Sequence, residues 1–175
     1  KPINHRKLLH ALLSPEAIRS APLPTPSPRS VQEIKVLAVD DNAANLKLIA
    51  AMLKEMVSQV VVCKNGKEAV RLAQSQPFDI IFMDIQMPIM DGISATQAIR
   101  SQSLNTETPI VAVTAHAIPG ERERLIRQGM DDYLAKPIDE AMLAKLITDF
   151  AHRRHQNHAS QQIDWALAVR QAAGK

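Results

Sequence analysis

The sequence is poor in the residues on which several protein classes depend. It has one cysteine, Cys63, among 175 residues. A single thiol excludes an intramolecular disulfide and a multi-cysteine zinc site, and it suits a cytosolic compartment. Aromatic residues make up 3% of the chain, too few for a surface that stacks nucleic-acid bases. The five glycines form no Gly-rich phosphate loop, so no ATP site of that kind is present. No apolar run approaches the roughly 18 residues of a membrane span. No charged, apolar and small-residue succession marks a signal peptide. The chain opens on Lys1 rather than Met, which reads as a piece of something longer.

Charge is present but unevenly placed. Lys and Arg number 21 and Asp and Glu 18, a formal +3. Within 34–150 there are 12 basic and 15 acidic residues, a net −3, so the flanks carry 9 basic against 3 acidic, a net +6. The flanks hold no dense Lys/Arg block, so they read as solvated linkers rather than as RNA or lipid contacts. Pro15, Pro22, Pro24, Pro26 and Pro28 mark 14–33 as a semi-rigid, extended linker. A polar stretch, 151–162, holds His152, His155 and His158. Their spacing imitates a metal site, but no carboxylate or thiol accompanies them, and a solvated face is the simpler reading.

Between the linkers lie 117 residues, 34–150, the size of one domain. Short apolar runs at Ile34–Val39, Val60–Cys63, Asp79–Asp84, Pro109–Val113 and Tyr133–Ala135 alternate with helical spacing over Asn45–Met56, a segment after Asn65-Gly66, Gly92–Arg100 and Ile118–Gln128, the last closed by Gly129. Asp139 caps a final helix carrying Met142, Leu143, Leu146, Ile147 and Phe150. Five βα units in series predict an α/β fold, a doubly wound five-stranded parallel sheet with helices on both faces. Functional residues in such folds collect beyond the C-terminal strand ends.

Those ends carry chemistry. Asp40 and Asp41 follow the first strand, Asp84 ends the third, Thr114 ends the fourth, and Lys136-Pro137 follows the fifth. Carboxylates about 4 Å apart repel by roughly 4 kcal/mol per pair at an effective dielectric near 20. Such a cluster needs a proton, a cation or a metal, and hard oxygens with room for water suit Mg²⁺. With Lys136 and the Thr114 hydroxyl to bind a phosphoryl group, one carboxylate is free to act as a nucleophile. Read singly, Asp40 and Asp41 are also candidate helix caps. Asp91, before Gly92, reads as a turn or cap residue. Asp131 and Asp132 read as solvated, Cys63 as a small buried hydrophobe, and Met83, Met87 and Met90 as packing residues.

The motifs Val39-Asp-Asp-Asn42, Met83-Asp-Ile-Gln-Met-Pro88 with Met90-Asp-Gly92, Val113-Thr-Ala115 and Tyr133-Leu-Ala-Lys-Pro137 resemble the signature of response-regulator receiver domains, over 34–150. The resemblance implies the receiver (flavodoxin-like) fold and a role for each matching residue. Asp84 is then the phosphoacceptor. Asp40, Asp41, Asp84 and the backbone carbonyl of Gln86 hold Mg²⁺. Lys136 contacts the phosphoryl group, before a cis Pro137. Thr114 and Tyr133 form the switch pair. His116, two residues after Thr114, borders the phosphoryl site and modulates dephosphorylation, or is a plain surface-loop histidine.

The flanks extend the resemblance. Lys1-Pro-Ile3 repeats Lys136-Pro-Ile138, and the same offset puts Asn4 on Asp139, Leu8 on Leu143 and Leu12 on Ile147. Residues 1–13 thus read as the tail of a preceding receiver-like domain. Residues 163–175, with Trp165 and Val169 on one face, resemble the start of a histidine phosphotransfer domain. That order resembles hybrid sensor histidine kinases of the BarA/GacS type. It implies a relay from a kinase histidine to the receiver aspartate, then to a phosphotransfer histidine of the same polypeptide and on to a separate response regulator. The parent would be a histidine protein kinase, a homodimer anchored in the bacterial inner membrane, with this piece on the cytoplasmic side. The fragment would catalyse its own phosphorylation and dephosphorylation, without direct membrane or nucleic-acid contact. Alternatives are the receiver of a stand-alone response regulator, including a transcription factor, and a Mg²⁺-dependent aspartyl phosphatase. The phosphatase reading is disfavoured because such enzymes place Asp-x-Asp on the first strand, whereas Asp40 and Asp41 are adjacent.

Overall fold

The computed structural model describes residues 34–115 and 120–153. The expected linker 14–33, residues 154–162 of the expected second linker, the tail at 1–13, the helix start at 163–175, His116, His155 and His158 lie outside the described residues, whereas 151–153, expected as linker, are helical. Within them the chain alternates as the periodicity predicts: β1 Lys35–Val39, α1 Ala43–Lys54, β2 Gln59–Cys63, α2 Gly66–Ser75, β3 Ile80–Asp84, α3 Gly92–Gln102, β4 Ile110–Thr114, α4 Glu121–Arg127 and β5 Asp132–Ala135. A last helix, α5, covers 140–153. All strand pairs are parallel, in the order β2-β1-β3-β4-β5.

Side-chain alternation divides the interior in two. Val36, Ala38, Ile80, Phe82, Val111, Val113 and Leu134 face Ile49 and Leu53 of α1 and Leu143, Ile147 and Phe150 of α5. Leu37, Val39, Ile81, Met83, Ile110 and Ala112 face Ala69 and Ala73 of α2, Ala95 and Ile99 of α3 and Leu125 of α4. β3 and β4 are buried along their whole length. That is why they read as continuous apolar runs instead of alternating ones.

Helix ends follow local chemistry. α1 starts two residues before the expected Asn45 because the Asn42 side chain accepts from the Ala44 and Asn45 N–H groups. The cap is therefore Asn42, and neither Asp40 nor Asp41. Asp91 caps α3 through Ser94 N at 2.7 Å, and Asp139 caps α5 through Met142 N at 2.8 Å. Gly129, at φ +95°, follows α4, a left-handed position that glycine takes without steric cost.

At the N-terminal edge of the sheet, Arg100 from α3 gathers several backbones. Its guanidinium donates to the carbonyls of Gly129 (2.9 Å), Thr106 (2.9 Å) and Thr108 (2.6 Å) and pairs with Asp131 at 2.6 Å. Asp131 also accepts from Ile110 N at 2.7 Å, at the entry to β4. Asp131 is therefore not merely solvated, as its sequence setting suggests. Asp132 likewise pairs with Arg122 at 3.4 Å. Both partners lie 10 or more positions away in sequence, beyond the reach of a local reading. Ile34, at the start of β1, and Phe150, in the last turns of α5, join the same core cluster. The chain thus enters and leaves the described domain at the edge opposite Asp40 and Asp84.

Candidate functional site

β1 and β3 are neighbours in register, Val39 opposite Met83. Asp40, just past β1, and Asp84, the last residue of β3, therefore meet at the C-terminal edge, where the chain order of the sheet reverses. Both are buried, and Asp41 is exposed. Each of Asp40, Asp41 and Asp84 offers a carboxylate oxygen within 4.8 Å of the others. At that separation a pair of charges repels by roughly 3–4 kcal/mol at an effective dielectric near 20.

Lys136 offsets part of this repulsion. Its Nζ lies 2.8 Å from Asp40 Oδ2 and 2.8 Å from Asp84 Oδ2. The Lys136–Pro137 peptide is cis, and Lys136 N donates to Thr114 O at 2.7 Å, which ties the loop after β5 to the end of β4. Three carboxylates and one ammonium leave a net charge of −2. Burial pushes the Asp84 carboxyl above its ordinary range, against the pull of Lys136, and the charge of Asp40 adds to the push. Burial alone would lower the Lys136 ammonium, but its bonds to Asp40 and Asp84 hold it above the usual lysine range.

Backbone and amide donors orient the acids. Asp40 Oδ1 accepts from Asn42 N at 2.8 Å, and Asn45 Nδ2 reaches both Asp40 oxygens at 3.2 and 3.1 Å. Asp84 Oδ1 accepts from Gln86 N at 3.3 Å. The residues present fit a divalent cation: hard oxygens from three carboxylates, a negative site with one exposed side, and fixed orientation of the two buried acids. Asp40, Asp41 and Asp84 could hold it, with the Gln86 carbonyl in the adjoining loop.

The other expected residues are near this edge. Thr114 is buried and pairs with Ala135, one step past the Val113–Asp84 pairing. Tyr133, half-buried, pairs with Ala112 and packs against the core on the α2–α4 side. Alternation places Thr114 on that same side, two residues further along β4. Met83 and Met87 are buried and Met90 half-buried, as packing residues. His152 is exposed near the end of α5. Cys63 is buried and its thiol is pushed up to about 12 by burial, so it is inert as a nucleophile.

Three features of this edge are not legible in the sequence. Asn45 reads only as a helix position. Gly92 read only as the start of a helix. Its N–H donates to Ile85 O at 3.0 Å, and a Cβ there would overlap the Asp84 carbonyl oxygen. The Met-Asp-Gly run could have signalled a close backbone approach. Ile89 takes φ +72° and is 79% exposed, in a three-residue turn closed by Met90 N to Pro88 O at 2.8 Å. A β-branched residue in that conformation is strained, and nothing in its residue type announces it.

Comparison with known proteins agrees with this geometry. Signal transduction histidine-protein kinase BarA of Escherichia coli K12 is 42% identical over the whole chain, and sensor histidine kinase GacS of Pseudomonas protegens is 46% identical over the whole chain. The chain spans about a fifth of the length of these relatives. The crystal structure of the receiver domain of sensor histidine kinase PA1611 from Pseudomonas aeruginosa, with a magnesium ion in its active-site cleft, is 40% identical and superposes with a TM-score of 0.63, covering 69% of this chain and 98% of that one. The receiver domain of yeast Ssk1, solved with the histidine phosphotransfer protein Ypd1, is 29% identical with a TM-score of 0.65, covering 72% and 94%. The family model of the response regulator receiver domain matches residues 36–148. The chain belongs to the response regulator receiver domain family, in the form carried by two-component histidine kinases.

Proposed function

We propose that this receiver accepts a phosphoryl group from a kinase histidine on Asp84, dependent on Mg²⁺, and passes it to the histidine of a phosphotransfer domain. The observation that carries the reading is the bridge from Lys136 to Asp40 and Asp84, both at 2.8 Å, with Asp41 beside them. Asp84 is a carboxylate held at the end of a fully buried strand, with one oxygen fixed by Lys136 and the other by Gln86 N. On transfer, the P–N bond to the donor imidazole breaks and a P–O bond to an Asp84 oxygen forms. The imidazole departs with the electron pair and takes up a proton. Lys136 then has a phosphoryl oxygen to bond in place of the carboxylate oxygen. Thr114, at the neighbouring strand end, supplies a hydroxyl for a second. Bound Mg²⁺ would neutralise charge on the transferred group.

Tyr133 completes the switch, by the inward turn of its ring when Thr114 moves to the phosphoryl group. The likeness to BarA and GacS over the whole chain supports a hybrid-kinase parent, anchored in a membrane, with kinase core and phosphotransfer domain in the same polypeptide. The Ypd1–Ssk1 pair supports a phosphotransfer histidine as recipient. With Mg²⁺ and acetyl phosphate, intact-mass spectrometry is expected to show one phosphoryl group on the wild type and none on Asp84→Asn. Labelling that persists in Asp84→Asn refutes the assignment.

A further inference from the structure

Three donors converge on the carboxylate of Asp40: the backbone N–H of Asn42, the Lys136 ammonium, and the side-chain amide nitrogen of Asn45, which is shared between both carboxylate oxygens. Asn42 and Lys136 have other duties, capping α1 and bridging to Asp84. Asn45 projects from the first turn of α1 with no other side-chain bond among those described, and it spans both Asp40 oxygens. Its backbone is already fixed by the Asn42 cap, so the side chain is not needed to start the helix. We propose that Asn45 is a positioning residue for the divalent cation: its amide locks the plane of the Asp40 carboxylate, so that this ligand is pre-oriented instead of free to rotate.

The choice of an amide has a charge rationale. The three acids and Lys136 total −2, which a divalent ion brings to neutrality. A cationic side chain at 45 would lower that charge and compete with the metal, and an acidic one would repel Asp40. A neutral donor orients without altering the balance. Hydrogen bonds to a ligating carboxylate from outside the metal's own shell commonly govern affinity by roughly 10–100-fold.

This inference rests on the reading that the acidic cluster takes Mg²⁺, and the test separates the two. Mg²⁺ alone is titrated calorimetrically into the wild type, Asn45→Ala, Asn45→Leu, Asn45→Gln and Asp41→Ala, with melting in EDTA as the check on folding. Asn45→Ala and Asn45→Leu are expected to weaken Mg²⁺ at least tenfold, while Asn45→Gln, which keeps the amide, stays within threefold. Melting in EDTA is expected to change little, since the backbone cap is untouched. Either donor-free variant binding within twofold of wild type, or Asn45→Gln losing as much as Asn45→Leu, overturns the role of Asn45 alone. A wild type that binds no Mg²⁺ overturns the metal reading and this inference together.

Discussion

Substituting Gly92 by alanine tests whether the phosphoacceptor is placed by packing as well as by its own strand. Gly92 is the first residue of α3, and its Cβ position faces the end of β3. A methyl there overlaps the Asp84 carbonyl oxygen and lies 2.9 Å from the carbonyl carbon and 3.1 Å from Ile85 Cα. Ordinary carbon–carbon contact begins near 3.4 Å. The two backbones must therefore part by about half an ångström at the carbon, and by on the order of 1 Å once the oxygen is cleared. β3 is buried from Ile80 to Asp84 and cannot retreat into its neighbours. The displacement falls on Asp84 and on the loop to Gly92, whose N–H holds Ile85 O. The 2.8 Å bond from Lys136 to Asp84 then stretches. Overpacking of this kind costs about 1–3 kcal/mol of stability, and misplacing a reacting group by 1 Å costs on the order of 10²-fold in rate. Labelling by acetyl phosphate in Mg²⁺, timed by mass spectrometry, is the assay. Asp91→Ala is the control: it removes the Ser94 cap bond at about 1 kcal/mol and leaves Asp84 in place. A Gly92→Ala protein that labels within threefold of wild type would refute the close-approach argument.

Two further predictions concern stability. Asn105 is buried at 1% exposure; its amide donates to Ala73 O and Gln76 O and its carbonyl accepts from Phe78 N. Asn105→Ala leaves Gln76 O and Phe78 N unpaired, while Ala73 O keeps its bond from Leu104 N at 3.2 Å; the change is expected to cost roughly 2–5 kcal/mol in denaturant melts, and a loss under about 1 kcal/mol refutes the network's importance. Because the folded pKa of Asp84 is raised by burial, the folded state binds its proton more readily than the unfolded chain does. Metal-free stability therefore falls as pH rises from the ordinary value of 3.8 through the raised one. Asp84→Asn in EDTA is expected to melt higher than wild type at neutral pH, with the advantage vanishing below about pH 4. A difference that does not change with pH refutes the sign.

The sheet was legible because its strands are buried on both faces and announce themselves as apolar runs. The acids were legible because a parallel arrangement delivers every strand end to one edge, whatever the details of packing. What escaped were side chains whose meaning lies in a distant partner. Asp131 reads as a surface acid until Arg100 and Ile110 N are brought to it. Asn105 reads as a loop residue until it closes over Ala73, Gln76 and Phe78. Asn45 is the exception: its partner Asp40 is only five residues away, yet nothing in its type or spacing separates it from any polar helix position. Local sequence carries periodicity and caps, and both place the elements to within a few residues. It does not carry pairings separated by tens of residues.

Both ends of the described domain, Ile34 and the close of α5, lie at the edge opposite Asp84. Five strand residues at about 3.3 Å each put roughly 17 Å between that edge and the acids. Any partner tethered to this chain begins its search on the wrong side of the sheet. Under the proposed relay, it must travel at least the height of the strands before it can present a histidine. Tether length therefore becomes a rate-setting variable: too short a linker gives an effective concentration near zero at Asp84, and lengthening past the span dilutes it only gradually.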